Sequence, residues 1–186
     1  MFGRVILLNG VPRAGKSSIA RALQARGDWL GFGVDAMMAM TPQHLRPGIG
    51  LRPGGERPDL EEFVRRGYAS LFDSLAAFAR NGLDVVSDVG LHDDYSRPLG
   101  IAQMARETLA GLSVLWVGVH CPIEAIMARR NADTTGHYAG GAAVPLPVQR
   151  WQDTVHAGKR YDLEVDTSAL SPQQCADRIA IALAHQ

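Results

Sequence analysis

The sequence predicts a three-layer α/β fold, a five-stranded parallel sheet with helices on both faces. Three observations predict it. Short apolar runs containing Val, Ile and Leu alternate along the chain with stretches of helical periodicity, and strands separated by helices pair in parallel. The first of these runs passes directly into a Gly-rich turn and then a helix. The chain has 186 residues, no internal repeat and no linker, which fits one domain spanning residues 1–186.

Taken in order, Arg4–Asn9 (RVILLN) reads as a buried strand, and Ser18–Ala25, with Ile19, Ala22 and Leu23 at helical spacing, as the helix after the turn. Trp29–Val34 is a second short strand ending at Asp35, followed by the Met-rich segment Ala36–Met40, which Thr41-Pro42 stops. Residues 44–58, rich in Pro, Gly and Arg, read as a loop. A long amphipathic helix runs from Leu60 to Arg80, closed by Asn81-Gly82. Leu83–Val89 is the third strand, Leu99–Leu109 a helix, and Leu112–Val119 the fourth strand. Residues 122–131 form another helix, with Pro122 in its first turn. Asn131–Pro147 has no periodicity; Val148–Ala157 is helical again, Tyr161–Asp166 is the fifth strand, and Ser171 caps a final helix.

The turn after the first strand carries the clearest chemistry. Gly10-Val11-Pro12-Arg13-Ala14-Gly15-Lys16-Ser17 fits G-x-x-x-x-G-K-[ST], placed between strand and helix as that pattern requires. Its glycines let the backbone curl so that N–H groups point inward, and the helix adds the positive end of its dipole. Gly10, Arg13, Ala14, Gly15, Lys16, Ser17 and Ser18 are therefore expected to hold nucleotide phosphates. Lys16 would reach the β- and γ-phosphates, and the Ser17 hydroxyl would ligate Mg²⁺. Lys16 and Lys159 are the two lysines in a chain whose remaining basic residues are arginines, so Lys16 stands against a compositional bias.

Composition narrows the partners. Lys+Arg and Asp+Glu both number 19, so no global field favours nucleic acid or an anionic membrane. Cys121 and Cys175 are too few and too far apart for a disulfide framework or zinc site, and read as buried thiols in a reducing compartment. No segment has the length of a membrane span, and the N-terminus lacks a signal-peptide layout, which gives a cytoplasmic expectation. Oligomeric state is not legible.

A guanine-reading N-K-x-D is absent, and motor ATPases are usually longer and carry further signature elements, which leaves a small-molecule kinase. Phosphoryl transfer needs an oriented acceptor, neutralised charge and a group that takes the hydroxyl proton. Asp35 and Asp88, at the ends of strands two and three, stand where open α/β sheets bind ligands. Asp35 is the candidate base and Asp88 the candidate metal-side carboxylate; either could instead cap a helix, and the two roles are interchangeable at this stage. Residues 41–58 are the candidate acceptor-side loop and 131–147 the candidate lid.

Several segments together resemble the chloramphenicol phosphotransferases, small ATP-dependent kinases that phosphorylate an antibiotic hydroxyl. These are Leu8-Asn9-Gly10 with Ala14-Gly15-Lys16-Ser17, then Phe32-Gly33-Val34-Asp35, then Val114–Val119 with Cys121, and Tyr161–Thr167. The resemblance implies a P-loop kinase fold with a lid, ATP on Gly10, Gly15, Lys16 and Ser17, Asp35 as catalytic base, and Arg129 as the lid arginine. After Arg129 the chain departs from the family's Arg-Gly-Asp-Arg-like stretch, reading Asn131–Tyr138 (NADTTGHY), so Arg130 or Arg150 are substitutes for the second lid arginine.

His92, in His92-Asp93-Asp94 after strand three, is a candidate acceptor contact, and Met37, Met38 and Met40 are candidates for an adaptable pocket wall or for ordinary helix packing. Arg65-Arg66 reads as a solvated helix face. Besides the small-molecule hydroxyl acceptor, two readings stay open: another metabolite, nucleotide or RNA end as acceptor, and a nucleotide-responsive binding protein without acceptor chemistry.

Overall fold

The computed structural model describes residues 2–133 and 143–185. The sheet has five strands in the order β2-β3-β1-β4-β5: β1 (Arg4–Asn9), β2 (Leu30–Gly31), β3 (Val85–Val89), β4 (Ser113–His120) and β5 (Leu163–Asp166). Every pairing is parallel. The helices are α1 (Lys16–Gln24), α2 (Val34–Met40), α3 (Glu61–Arg80), α4 (Ile101–Thr108), α5 (Ile123–Asn131), α6 (Leu146–Thr154) and α7 (Pro172–Ala184).

β1 is central, and its sequence shows why the sheet is sandwiched. Val5, Ile6, Leu7 and Leu8 are all fully buried. Side chains alternate in direction along a strand, and here Ile6 and Leu8 join one apolar cluster while Val5 and Leu7 join the other. The first cluster packs the sheet against α1, α5 and α7 through Ile19, Leu23, Ile126 and Ile179. The second packs it against α3 and α4 through Tyr68, Leu71, Phe72, Leu75 and Ile101. Each such side chain contributes on the order of 1.5–3 kcal/mol by leaving water. The capping expectation for the last helix is met by a reciprocal capping box, in which the Gln174 amide donates to the Ser171 hydroxyl and the Ser171 amide to Gln174 Oε1.

Three readings need correction. The second strand spans only Leu30–Gly31, extended by the Phe32 amide donating to the Val86 carbonyl; α2 starts after Gly33, so Asp35 lies in the first turn of a helix and does not end a strand. A two-residue strand at the edge of the sheet, interrupted by Gly31 and Gly33, has too little pairing to run further. The segment read as a loop from 44 to 58 holds 3-10 turns at Gln43–Leu45 and Gly48–Leu51. The sixth helix begins at Leu146, inside the range expected as a lid; residues 134–142 of that lid lie outside the described residues.

Among the described residues no helix is long and apolar enough to cross a membrane. Cys121 and Cys175 are buried free thiols.

Candidate active site

All five strands point their C-terminal ends the same way, so the segments leaving β1, β3 and β5 converge at one edge. The chain order reverses about β1, which opens a crevice there. A cavity of about 740 Å³ occupies it, within the ordinary range for small-ligand sites.

One half is the loop at residues 10–17. Gly15 has φ +93° and Arg13 φ +68°, both in the left-handed region. For Arg13 this is strained backbone of the sort held in place at ligand-binding turns. The resulting curl leaves the amides of Gly15, Lys16 and Ser17 with no carbonyl acceptor among the described residues, grouped at the N-terminus of α1, an arrangement suited to an anion. The Lys16 ammonium donates to the Gly10 and Val11 carbonyls at 2.7 and 2.8 Å. Burial pulls its pKa down to about 8, against the pull of Asp88 and Asp35 in the other direction. The Ser17 hydroxyl donates to Asp88 Oδ2 at 2.8 Å.

Arg129, from α5, reaches the same loop. Its guanidinium donates to the Arg13 carbonyl at 3.0 Å, to the Thr167 hydroxyl at 3.1 Å and to the Thr167 carbonyl at 2.7 Å. Thr167 in turn donates to the Ala14 carbonyl at 2.7 Å, tying the end of β5 to the loop. Arg13 pairs with Asp133.

The other half is lined by Val34, Asp35, Leu51, Arg52, Tyr68 and Trp151. Asp35 is exposed to the cavity and takes no hydrogen bond or ion pair among the described residues. Gly33, two residues before Asp35, lies against Asp88: a Cβ on Gly33 would fall 1.9 Å from Asp88 Oδ1 and 2.6 Å from its carbonyl oxygen.

The cavity thus gathers Gly10, Arg13, Gly15, Lys16, Ser17, Ser18, Asp35, Asp88 and Arg129; Ala14 is buried beneath the loop. It does not gather the other candidates. His92 is 1% exposed, packed behind the cavity wall against Tyr95 and edge-on to Trp151. None of the three α2 methionines lines the cavity; Met37 packs on the core beside α3, and Met40 faces solvent. Arg150 pairs with Glu56 at 2.7 Å. Arg65 pairs with Glu62 on an exposed helix face, as its spacing suggests. Sequence reasoning gave no role to Arg52, Tyr68, Trp151 or Thr167. Only Thr167 carried a signal, as the residue that follows the last strand.

A parallel sheet in this order, with a lysine-bearing anion loop after its central strand, is the P-loop kinase fold. The chain belongs to the chloramphenicol phosphotransferase-like family, whose model matches residues 3–184. A Mycobacterium tuberculosis H37Rv protein provisionally named an O-phosphotransferase is 29% identical over 193 residues, covering 94% of this chain and 79% of that protein. Among solved structures, a sugar kinase from Janibacter sp. HTCC2649 superposes with TM-score 0.67 at 19% identity, covering 98% of this chain and 95% of that one. The Mycobacterium tuberculosis APS kinase CysC, solved with AMPPNP and APS, superposes with TM-score 0.64 at 17% identity, covering 98% of each chain.

Proposed function

We propose that the protein transfers the γ-phosphoryl group of ATP to a hydroxyl of a small molecule. Family membership supports phosphotransfer, and one observation carries the acceptor chemistry: an unpaired carboxylate, Asp35, shares a cavity with the phosphate-loop lysine. Asp88 and buried Glu61, by contrast, are engaged by Ser17 and Ser96, which leaves Asp35 as the carboxylate on this cavity that is available to an acceptor.

The roles follow from the partners. The amides of Gly15, Lys16 and Ser17 bind the phosphate oxygens, Lys16 leaves its two carbonyls to meet the transferring group, and Arg129 adds positive charge from α5. Ser17 and Asp88 fit Mg²⁺, being two oxygen donors 2.8 Å apart beside the phosphate loop. When bound, the ion neutralises phosphate charge. Asp35 accepts the acceptor's proton as its oxygen bonds to the γ-phosphorus, and the bond to the β–γ bridging oxygen breaks to release ADP. Asp88 is engaged by Ser17 whereas Asp35 is not, which supports Asp35 as base and Asp88 on the metal side over the reverse.

The experiment is acceptor-dependent ADP release across a panel of hydroxylated compounds, with Asp35→Asn beside the unaltered chain. Positioned general bases contribute about 10²–10⁴-fold, so a loss of that size in kcat with ATP affinity retained is expected. Undiminished turnover in Asp35→Asn removes Asp35 as base.

A further inference from the structure

The acceptor half of the cavity is walled by the 3-10 turn Gly48–Leu51 and the irregular chain that leads from it to α3, which is tied down at several residues. The Leu51 carbonyl meets His92 Nε2 at 3.1 Å. The Gly54 amide donates to the Asp94 carbonyl at 2.9 Å. Gly55 packs so tightly on Ser96 that a Cβ there would lie 2.7 Å from the Ser96 amide nitrogen. Glu56 pairs with Arg150, and buried Glu61 takes both the amide and hydroxyl of Ser96.

Arg52 stands in the middle of these ties. Its own amide donates to the Ile49 carbonyl at 3.0 Å, and Pro53 beside it is buried. Its backbone is therefore held, while Arg52 itself, an exposed residue, lines the cavity and its side chain takes no hydrogen bond or ion pair among the described residues. The other arginines nearby in sequence are engaged, Arg46 on the Thr41 carbonyl and Arg57 on Asp59. Lys16, Arg13 and Arg129 are likewise engaged at the phosphate loop, with the Gly10 and Val11 carbonyls, Asp133 and Thr167 respectively. Arg52 lines the same cavity together with Val34, Leu51, Tyr68 and Trp151.

A planar guanidinium on a fixed backbone is suited to bidentate capture of a carboxylate. An acceptor bearing negative charge also has to approach Asp35 and Asp88, and a cation on that wall offsets the repulsion. We propose that Arg52 anchors an anionic group of the acceptor, so that the substrate is a hydroxylated organic acid whose apolar body rests on Trp151, Tyr68, Leu51 and Val34. This rests on the phosphotransfer reading above and adds the substrate class.

The test uses matched pairs of hydroxy acids and their methyl esters, with aromatic, alicyclic and linear bodies and with mandelate and methyl mandelate among them. Chloramphenicol serves as an uncharged alcohol. Each is assayed by ADP release with the full chain and with Arg52→Gln and Arg52→Lys. The expected result is a preference of about ten- to a hundredfold in kcat/KM for the acid of the best pair, the range set by charged hydrogen bonds. Arg52→Gln removes that preference by raising KM for the acid alone, Arg52→Lys keeps part of it, and KM for ATP does not move. Equal turnover of acids and esters overturns the proposal, as does a raised KM for ATP in Arg52→Gln; either leaves phosphotransfer standing. If no alcohol is phosphorylated, the phosphotransfer reading fails. Equilibrium binding of mandelate to the ADP-loaded chain then decides the anchor: binding lost in Arg52→Gln upholds it, and its absence or indifference to the substitution overturns it.

Discussion

Gly33→Ala tests whether the two halves of the site are built as one. Gly33 has φ −131°, an extended conformation open to any residue, so its requirement is steric. The added methyl would lie 1.9 Å from Asp88 Oδ1, 2.6 Å from the Asp88 carbonyl oxygen and 2.8 Å from its amide nitrogen. Rotating the Asp88 side chain relieves only the first contact. The other two are to backbone in β3, which is held between β1 and β2 by parallel ladders, so the start of α2 or the strand has to shift. Overpacking of this sort costs about 1–3 kcal/mol. For a chain of this size that lowers Tm by roughly 2–12 °C, taking 2–4 °C per kcal/mol. The same methyl drives Asp88 away from Ser17, whose hydroxyl it accepts at 2.8 Å, and moves Asp35, two residues along the chain. Thermal unfolding and the Mg²⁺ dependence of ADP binding are measured together. Weakened Mg²⁺ dependence with a lowered Tm is expected. A variant with unchanged Tm and unchanged Mg²⁺ dependence refutes the close approach as the reason for the glycine.

Two further outcomes follow from protonation. Burial holds Lys16 at about 8, and bound phosphate stabilises its charged form. Above that pH the free protein must take up a proton to bind, so nucleotide affinity falls up to about tenfold per pH unit. Titrations from pH 7 to 10 check this, and a flat profile contradicts it. Burial, aided by neighbouring His120, pulls His156 down to about 4. Between about 6.5 and 4 the unfolded chain binds a proton that the folded chain refuses, so stability is lost as pH falls through that window. His156 is partly exposed, and solvent screening reduces the effect to about 1–2 kcal/mol. The fall in Tm from pH 7 to 5 should shrink in His156→Gln, which cannot titrate; an equal fall in both chains removes His156 as its source.

The central strands β1, β3 and β4 were legible because they are short apolar runs buried on both sides, a pattern that local sequence alone produces. The phosphate loop was legible because its requirements are local too: Gly15 at positive φ, Lys16 and Ser17 at fixed spacing, one strand before and one helix after. Even the capping box of α7 is written in four consecutive residues, Ser171 to Gln174. The second strand was read too long because its apolar residues continue through Phe32, whereas its pairing partner β3 offers only an edge position beyond Val86. Local apolarity measures burial and does not count hydrogen-bonded neighbours.

The proposed acceptor half escaped for a different reason. Val34, Leu51, Arg52, Tyr68 and Trp151 come from α2, a 3-10 turn, the residue after it, α3 and α6. No spacing relates them, because their meeting depends on how irregular chain is tied across the sheet edge. The Met-rich segment gave a false lead: three methionines at near-helical spacing suit either a pocket or a packing face, and the choice turns on which way α2 rolls. That roll is fixed by Gly33 against Asp88 at its start and by Met37 against Gly67 of α3 along its length. It places Asp35, on the same helix, in the cavity. The methionines and the aspartate are thus two readouts of one packing decision. A substitution that rolls α2, such as a bulkier residue at Gly67, is therefore expected to displace Asp35, the proposed base, without touching it.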